Sequence, residues 1–213
     1  MNYRKYEHGD LTVEYSVARC IHAAECVRGL PAVFDPKRRP WIDPSRADAG
    51  AVTEVVQRCP TGALRARVRG TDNEVPDAHA TLRVIADGPV HGRGPIRLTL
   101  PGGETVDERR LALCRCGQSK NKPYCDNAHI AAEFRDAGAL AEGKTKPAAD
   151  TDANVVEIHG VPNGPLIVNG PVTVAGTDGR TAETTNCALC RCGASHTKPF
   201  CDGTHKKVGF SAE

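Results

Sequence analysis

Two stretches of the sequence, CRCGQSKNKPYCDNAH at 114–129 and CRCGASHTKPFCDGTH at 190–205, place three cysteines and one histidine in the same order: C-x-C, eight residues, then C-x3-H. Thiolate and neutral imidazole are both metal ligands. Four of them complete the set for one tetrahedral zinc, or for a two-iron, two-sulfide cluster with two ligands on each iron. Cys114, Cys116, Cys125 and His129 make the first set, and Cys190, Cys192, Cys201 and His205 the second. Zinc ribbons usually use C-x2-C knuckles, whose two-residue gap wraps a single ion. The C-x-C spacing therefore favours a cluster and leaves zinc as the alternative.

An offset of 76 residues, the separation of Cys114 from Cys190, superimposes more than the motifs. Without a gap it lays Gly88-Pro89 on Gly164-Pro165, Gly94-Pro95 on Gly170-Pro171, Gly103 on Gly179 and Phe134 on Phe210. Such self-similarity marks a duplicated unit, with copies at about 80–137 and 155–213 and a linker at 138–154, where small and charged residues dominate. The repeat also separates ligands from bystanders. Cys187 falls opposite Leu111 and reads as an apolar filler, while His196, His91 and His159 fall opposite Lys120, Ile167 and Arg83 and are not expected to bind metal.

The elements that position these ligands are short. Each copy opens with β-branched runs punctuated by Gly-Pro, which predicts strands of about four residues broken by turns. A short helix is expected to start at the last cysteine, with Asp126 or Asp202 at its cap and Cys201 and His205 on one helical face. Gly117 and Gly193 are expected to let backbone amides approach a bulky anionic group.

The pattern C-x-C-x2-S-x3-P-x-C-D-x2-H resembles the CDGSH iron-sulfur motif of the NEET proteins. The second copy carries Cys201-Asp202-Gly203-Thr204-His205, and the first carries Cys125-Asp126-Asn127-Ala128-His129, with Asn127 where the family has glycine. Asparagine tolerates a left-handed backbone. The resemblance implies a 2Fe-2S cluster on three cysteines and one histidine in each copy. It also implies two β-rich units packed as an intrachain pseudo-dimer about a two-fold axis. Neutral imidazole in place of a thiolate removes a negative charge and raises the reduction potential. It also makes the ligand protonatable, so that acid weakens its bond to iron.

The N-terminal third holds Cys20 and Cys26 in CIHAAEC and Cys59 in CPTGAL. Asp43, Pro44 and Ser45 signal a helix start, and Val52, Val55, Val56 and Cys59 follow at helical spacing, so one helix would return Cys59 to the other two. A cysteine followed by proline after an earlier pair resembles small single-cluster ferredoxins, here over about residues 3–70. Ala23 stands where such runs have their middle cysteine. Three thiolates suit a 3Fe-4S cluster; a 4Fe-4S cluster needs a further ligand, for which His22, water or a partner's side chain are candidates.

Composition sets the frame. With 213 residues, only 4% aromatic, the chain cannot give several domains large apolar cores, so metal staples are expected. Ten cysteines are too sparse for a secreted disulfide scaffold, and the opening MNYRKYEHGD lacks the apolar stretch of a signal peptide, so a reducing cytoplasm is expected. A net charge of +2 gives no strong footprint for nucleic acid, and no apolar run is long enough to span a bilayer. No nucleophile-base pair, phosphate loop or dinucleotide fingerprint stands out. The expectation is an α+β protein, with a small ferredoxin-like α/β domain at 1–70 and two CDGSH-type units. It would be a bacterial-type, monomeric iron-sulfur protein of electron transfer, cluster transfer or redox sensing, acting on redox or cluster-acceptor proteins and not itself an enzyme. The alternative is a zinc-stapled module that binds protein or nucleic acid.

Overall fold

The computed structural model describes residues 2–72, 74–75, 77–141, 145–147 and 154–212. Contacts divide the chain into two compact units, Met1–Val75 and Pro76–Glu213. Among the described residues strands dominate, and the α-helices run to five, nine and four residues. None of these helices is long and apolar enough to cross a membrane.

The first unit is a sheet of β1 (Arg4–His8), β2 (Leu11–Tyr15), β3 (Leu64–Val68) and β4 (Thr71–Asp72) in that order, with α1 (Glu25–Gly29) and α2 (Ala49–Gln57) between β2 and β3. All three strand pairings are antiparallel, so the unit lacks the parallel crossovers of the expected α/β arrangement. Alternation turns Leu11 and Val13 of β2 and Leu64 and Ala66 of β3 inward, where Val52, Val55 and Val56 of α2 meet them. The helix expected from Asp43 is two pieces. Asp43 caps only a 3-10 turn at Pro44–Arg46, Ala47 is extended, and α2 begins after a second cap in which Asp48 Oδ1 accepts the Ala51 N–H at 2.9 Å. Cys59 follows the end of α2, its N–H donating to Val56 at 3.1 Å.

The second unit is one seven-stranded sheet built from both copies. The first copy supplies β5 (Ala80–Val84), β6 (Val90–Thr99), β7 (Thr105–Leu113) and then α3 (Ala128–Ala131). After β8 (Thr145–Pro147), the second supplies β9 (Val156–Gly160), β10 (Leu166–Ala175) and β11 (Thr181–Leu189). The copies exchange strand pairing. Residues 90–93 of β6 lie antiparallel to β5 of their own copy, whereas 96–99 lie parallel to β9 of the other. Likewise 166–169 of β10 pair with β9, and 172–175 pair with β5.

The change of partner falls on Gly94-Pro95 and Gly170-Pro171. These dipeptides were expected to break strands; instead each forms a bulge inside a ten-residue strand. Proline has no N–H to place in the ladder, which suits a position between two pairings. Glycine is required beside it: a Cβ on Gly94 would stand 2.7 Å from Ala80 Cα, and one on Gly170 would stand 2.7 Å from the Val155 carbonyl oxygen. Leu82, Ile96, Leu98, Ile158, Val168 and Val174, drawn from both copies, fill one common core.

The segment expected as a linker packs where it is described. Leu140 is buried in that core, the Gly138 carbonyl accepts the Thr177 N–H at 3.0 Å, and β8 pairs with β11. Residues 142–144 and 148–153 of that segment lie outside the described residues.

Candidate metal centres

In both copies a β-strand delivers the first ligand directly. Cys114 follows β7 and Cys190 follows β11, and their N–H groups donate to the carbonyls of Pro123 and Pro199 at 2.9 and 2.8 Å. The Cys125 and Cys201 N–H groups donate back to Ala112 and Ala188, each at 2.8 Å, so the third ligand is laid beside the strand that carries the first. Ser119 Oγ and Ser195 Oγ close the intervening loop on the Tyr124 and Phe200 carbonyls at 2.7 and 2.6 Å. Asp126 and Asp202 each accept two backbone N–H groups, from Lys120 and Ala128 in one copy and from His196 and Thr204 in the other.

The helices start later than expected. Left-handed Asn127 (φ 70) and Gly203 (φ 89) precede α3 and a 3-10 turn at Thr204–Lys206, so Cys125 and Cys201 lie outside the helical turn and only the histidines lie on it. Carboxylates that satisfy the first free N–H groups, followed by a left-handed residue, fix that start. Asn127 thus takes the conformation that glycine takes in the second copy.

Each site presents two ligand pairs. Sγ of Cys114 and Cys116 are 3.8 Å apart, and those of Cys190 and Cys192 are 3.6 Å apart. Cys125 Sγ lies 3.5 Å from His129 Nδ1, and Cys201 Sγ lies 3.3 Å from His205 Nδ1. Backbone N–H groups of Gln118, Asn127 and Gly203 point at Cys116, Cys125 and Cys201 sulfur at 3.5, 3.4 and 3.4 Å. Donors aimed at sulfur favour the thiolate a metal needs. Among the described residues no three Cys, His, Asp or Glu side chains close on a single-ion position.

Electrostatics sort the protons. The Cys114 thiol is raised by its bond to Cys116 and then by burial, while Cys116 is lowered by that same bond, so of the two Cys116 gives up its proton more readily. Burial pushes Cys125 up to about 11 and raises Cys190. His129 is lowered by burial and then by the Arg115 charge, which keeps its ring neutral and fit to ligate. Asp202 is held well below the usual carboxylate range, first by the His196 N–H. The donor set, the sulfur-directed amides and the neutral imidazole fit an iron-sulfur cluster. Cys187, 3% exposed, sits in the core opposite Val168 with its thiol pushed up to about 12 by burial, as expected of a filler.

Gly117 and Gly193 bring their backbone amides to the Cys114 and Cys190 thiols and serve a second purpose as well. They are left-handed, at φ 82 each, and each faces the cysteine of the other copy's C-x-C: Cys192 and Cys116. Glycine there brings the two motifs together backbone to backbone.

In the first unit Cys20, Cys26 and Cys59 line one small cavity of about 30 Å³ with Tyr15, Trp41, Pro60 and Leu64. Burial pushes the Cys26 thiol up to about 11, with negative charge at Cys59 and then Cys20 adding to it. Tyr15 is raised by burial and by its bond to Cys20. His22 and Ala24 are left-handed without being glycine (φ 54 and 63), a strain that bends the loop between Cys20 and Cys26. His22 is exposed and lines an adjoining cleft that shares Cys20 and Cys26 with the cavity; it is not among the cavity's own walls.

Residues 87–130 and 163–206 match the family model described as iron-binding zinc finger, CDGSH type, and residues 6–69 match the one described as divergent 4Fe-4S mono-cluster. The chain belongs to the tandem CDGSH-type iron-sulfur proteins, with a divergent mono-cluster domain ahead of the repeat. A 65-residue stretch, 30% of the chain, is 42% identical to the uncharacterized protein YjdI of Escherichia coli K12 over 86% of that protein, and YjdI of Escherichia coli O157:H7 matches equally. The CDGSH matches begin after β5 and β9, so those two strands lie outside the matched spans while β6 and β10, which change partner, lie within them.

Sequence reasoning passed over one residue of each CDGSH unit, the arginine between the paired cysteines. Arg115 Nε donates to Gly88 O at 2.9 Å and Nη2 to Ile85 O at 2.7 Å; Arg191 repeats this on Gly164 and Val161 at 2.7 and 2.6 Å. The guanidinium groups lie over Phe134 and Phe210, 5.0 and 5.5 Å from the ring centres. The signal was present: Arg, Gly and Phe all recur at the offset of the repeat.

Proposed function

We propose that the chain carries electrons through three iron-sulfur centres. Two are 2Fe-2S clusters, one held by Cys114, Cys116, Cys125 and His129 and the other by Cys190, Cys192, Cys201 and His205. One is a 3Fe-4S or 4Fe-4S cluster held by Cys20, Cys26 and Cys59. A bound 2Fe-2S cluster supplies a one-electron couple, and everything else here is the work of the protein. The observation that carries the reading is the arrangement of each CDGSH site as two ligand pairs, Cys-Cys at 3.6–3.8 Å and Cys-His at 3.3–3.5 Å, with sulfur-directed amides. Two pairs suit two irons; zinc, the alternative, draws all four ligands to one point.

Strand exchange between the copies supports an α+β fold in which they form an intrachain pseudo-dimer, with boundaries at about 80–137 and 155–213. A single chain then suffices. Redox or cluster-acceptor proteins in the cytoplasm are the partners this reading implies. The deciding experiment is anaerobic EPR of the isolated and reduced protein with iron, zinc and acid-labile sulfide counted. Coloured protein with sulfide and distinct 2Fe-2S signals is expected; colourless protein with stoichiometric zinc overturns the reading. Reversible reduction with the iron retained distinguishes a carrier from a cluster donor, which loses iron to an apo-ferredoxin.

A further inference from the structure

The cleft beside the three cysteines of the first unit is larger than ligation requires. Strand alternation turns Leu11 and Val13 into the core, and the same face continues through Tyr15 and, across the ladder, through Tyr6 opposite Val13 and Arg4 opposite Tyr15. These three border a recess of about 720 Å³ that also takes in Val17, Val27 and Trp41. Trp41 stands edge-on to Tyr15, 4.8 Å between ring centres, and tilted against buried Phe34 at 6.1 Å, so its ring is a fixed wall. Cys20 and Cys26 belong to the recess, but Cys59 and Pro60 do not, so it is not the space on which the three thiols converge.

Its two permanent charges are both positive. Arg4 enters from β1 and Arg39 from the loop before Trp41, and among the described residues no Asp or Glu lines the recess. Arg39 Nη1 donates to the carbonyls of Pro36 and Arg38 at 2.9 and 2.8 Å, which holds the guanidinium in place, and neither bond uses Nε or Nη2. Concave, mostly apolar recesses of roughly 300–1,000 Å³ bury small ligands, with a few polar groups to orient them. A protein face needs about 800 Å² per partner, far more than such a recess offers. Fixed aromatic walls stack flat rings, and a guanidinium matches a carboxylate with parallel N–H donors.

We propose that this recess binds a small planar aromatic carboxylate, with its ring among Tyr6, Tyr15 and Trp41 and its charge met by Arg4 and Arg39. The ligand then lies beside Cys20 and Cys26, so a metal group on these cysteines senses its arrival. Binding itself does not depend on which metal group they hold.

The test is isothermal titration calorimetry of the full-length protein as isolated with 2-naphthoate, and with 2-naphthylmethanol as the uncharged ring. One equivalent of 2-naphthoate is expected to bind with a Kd below about 1 mM, and the alcohol at least about tenfold more weakly. Arg39→Gln should weaken 2-naphthoate by about tenfold. Val17→Glu, at a position 62% exposed on the rim, should weaken it likewise without loss of stability or iron. Bound 2-naphthoate should also shift the EPR signal of the first unit's cluster and leave those of the CDGSH sites unchanged. No binding, equal binding of the alcohol, or undiminished binding in both variants overturns the assignment. Binding that persists in protein without iron at Cys20, Cys26 and Cys59 supports the recess and counts against the cluster reading alone.

Discussion

Gly117 lies flat against the backbone of Cys192: a Cβ there would stand 2.8 Å from the Cys192 carbonyl oxygen, and one on Gly193 would stand 2.7 Å from that of Cys116. Carbonyl groups at the centre of a packed unit cannot swing aside as a long side chain can. Gly117→Ala and Gly193→Ala are therefore expected to lower the stability of the Pro76–Glu213 unit. The left-handed backbone alone costs about 1–2 kcal/mol, and the clash adds to it. Because each glycine meets a ligand of the other site, either variant should reduce iron at both. Thermal unfolding with iron analysis checks this, and a variant with wild-type stability and iron content contradicts it.

Under the proposed 2Fe-2S reading, the two histidines would set the potential. His129→Cys or His205→Cys adds a negative charge to its own site and should lower that midpoint by on the order of 100 mV. It should also slow the acid loss of colour, since the replaced imidazole no longer competes for protons. Voltammetry and absorbance decay at low pH read the two effects, and unchanged potentials refute the ligand assignment.

His91 supplies a pH dependence unconnected with metal. Burial and then the Arg83 charge lower its pKa from 6.5 to about 4, and its Nε2 is buried without a hydrogen-bond partner. Between those values the unfolded chain binds the proton and the folded one does not, so stability is present above pH 6.5 and falls as pH drops towards 4. His91→Ile, the residue of the other copy at position 167, should flatten that slope. Urea unfolding across the interval measures it; an identical slope in the variant counts against the buried neutral ring.

Cys187 separates structural from ligating thiols. Cys187→Ala should keep all iron and visible absorption while costing about 1 kcal/mol for the lost core atom. Alanine at any of the six cysteines of the CDGSH motifs should lose iron at its site. Loss of iron in Cys187→Ala would make that residue a ligand.

The two sets of three cysteines and one histidine were legible because a repeat filters them: the structure brings the matched side chains together in pairs, and unmatched Cys187 and His91 pack elsewhere. The left-handed Asn127 was legible too, since its counterpart is glycine. Strand exchange was not, because Gly94-Pro95 looks the same in a turn as in a bulge within a long strand, and only the pairing of distant segments tells them apart. The second role of Gly117 was not legible for a related reason. Its spacing places it beside a ligand, but the atom that forbids a side chain belongs to residue 192. The start of α2 failed locally: Asp43 and Asp48 are both good caps, and the extended Ala47 between them decides which one begins the α-helix.

The bulges in β6 and β10 have a consequence for assembly. Since each long strand leaves its own copy halfway along, neither copy can complete its hydrogen-bond ladder by itself, and a severed half would carry an open strand edge until it met another half. Because both sets of three cysteines and one histidine stand on that shared ladder, ordering one of them is expected to require the other copy to be folded as well.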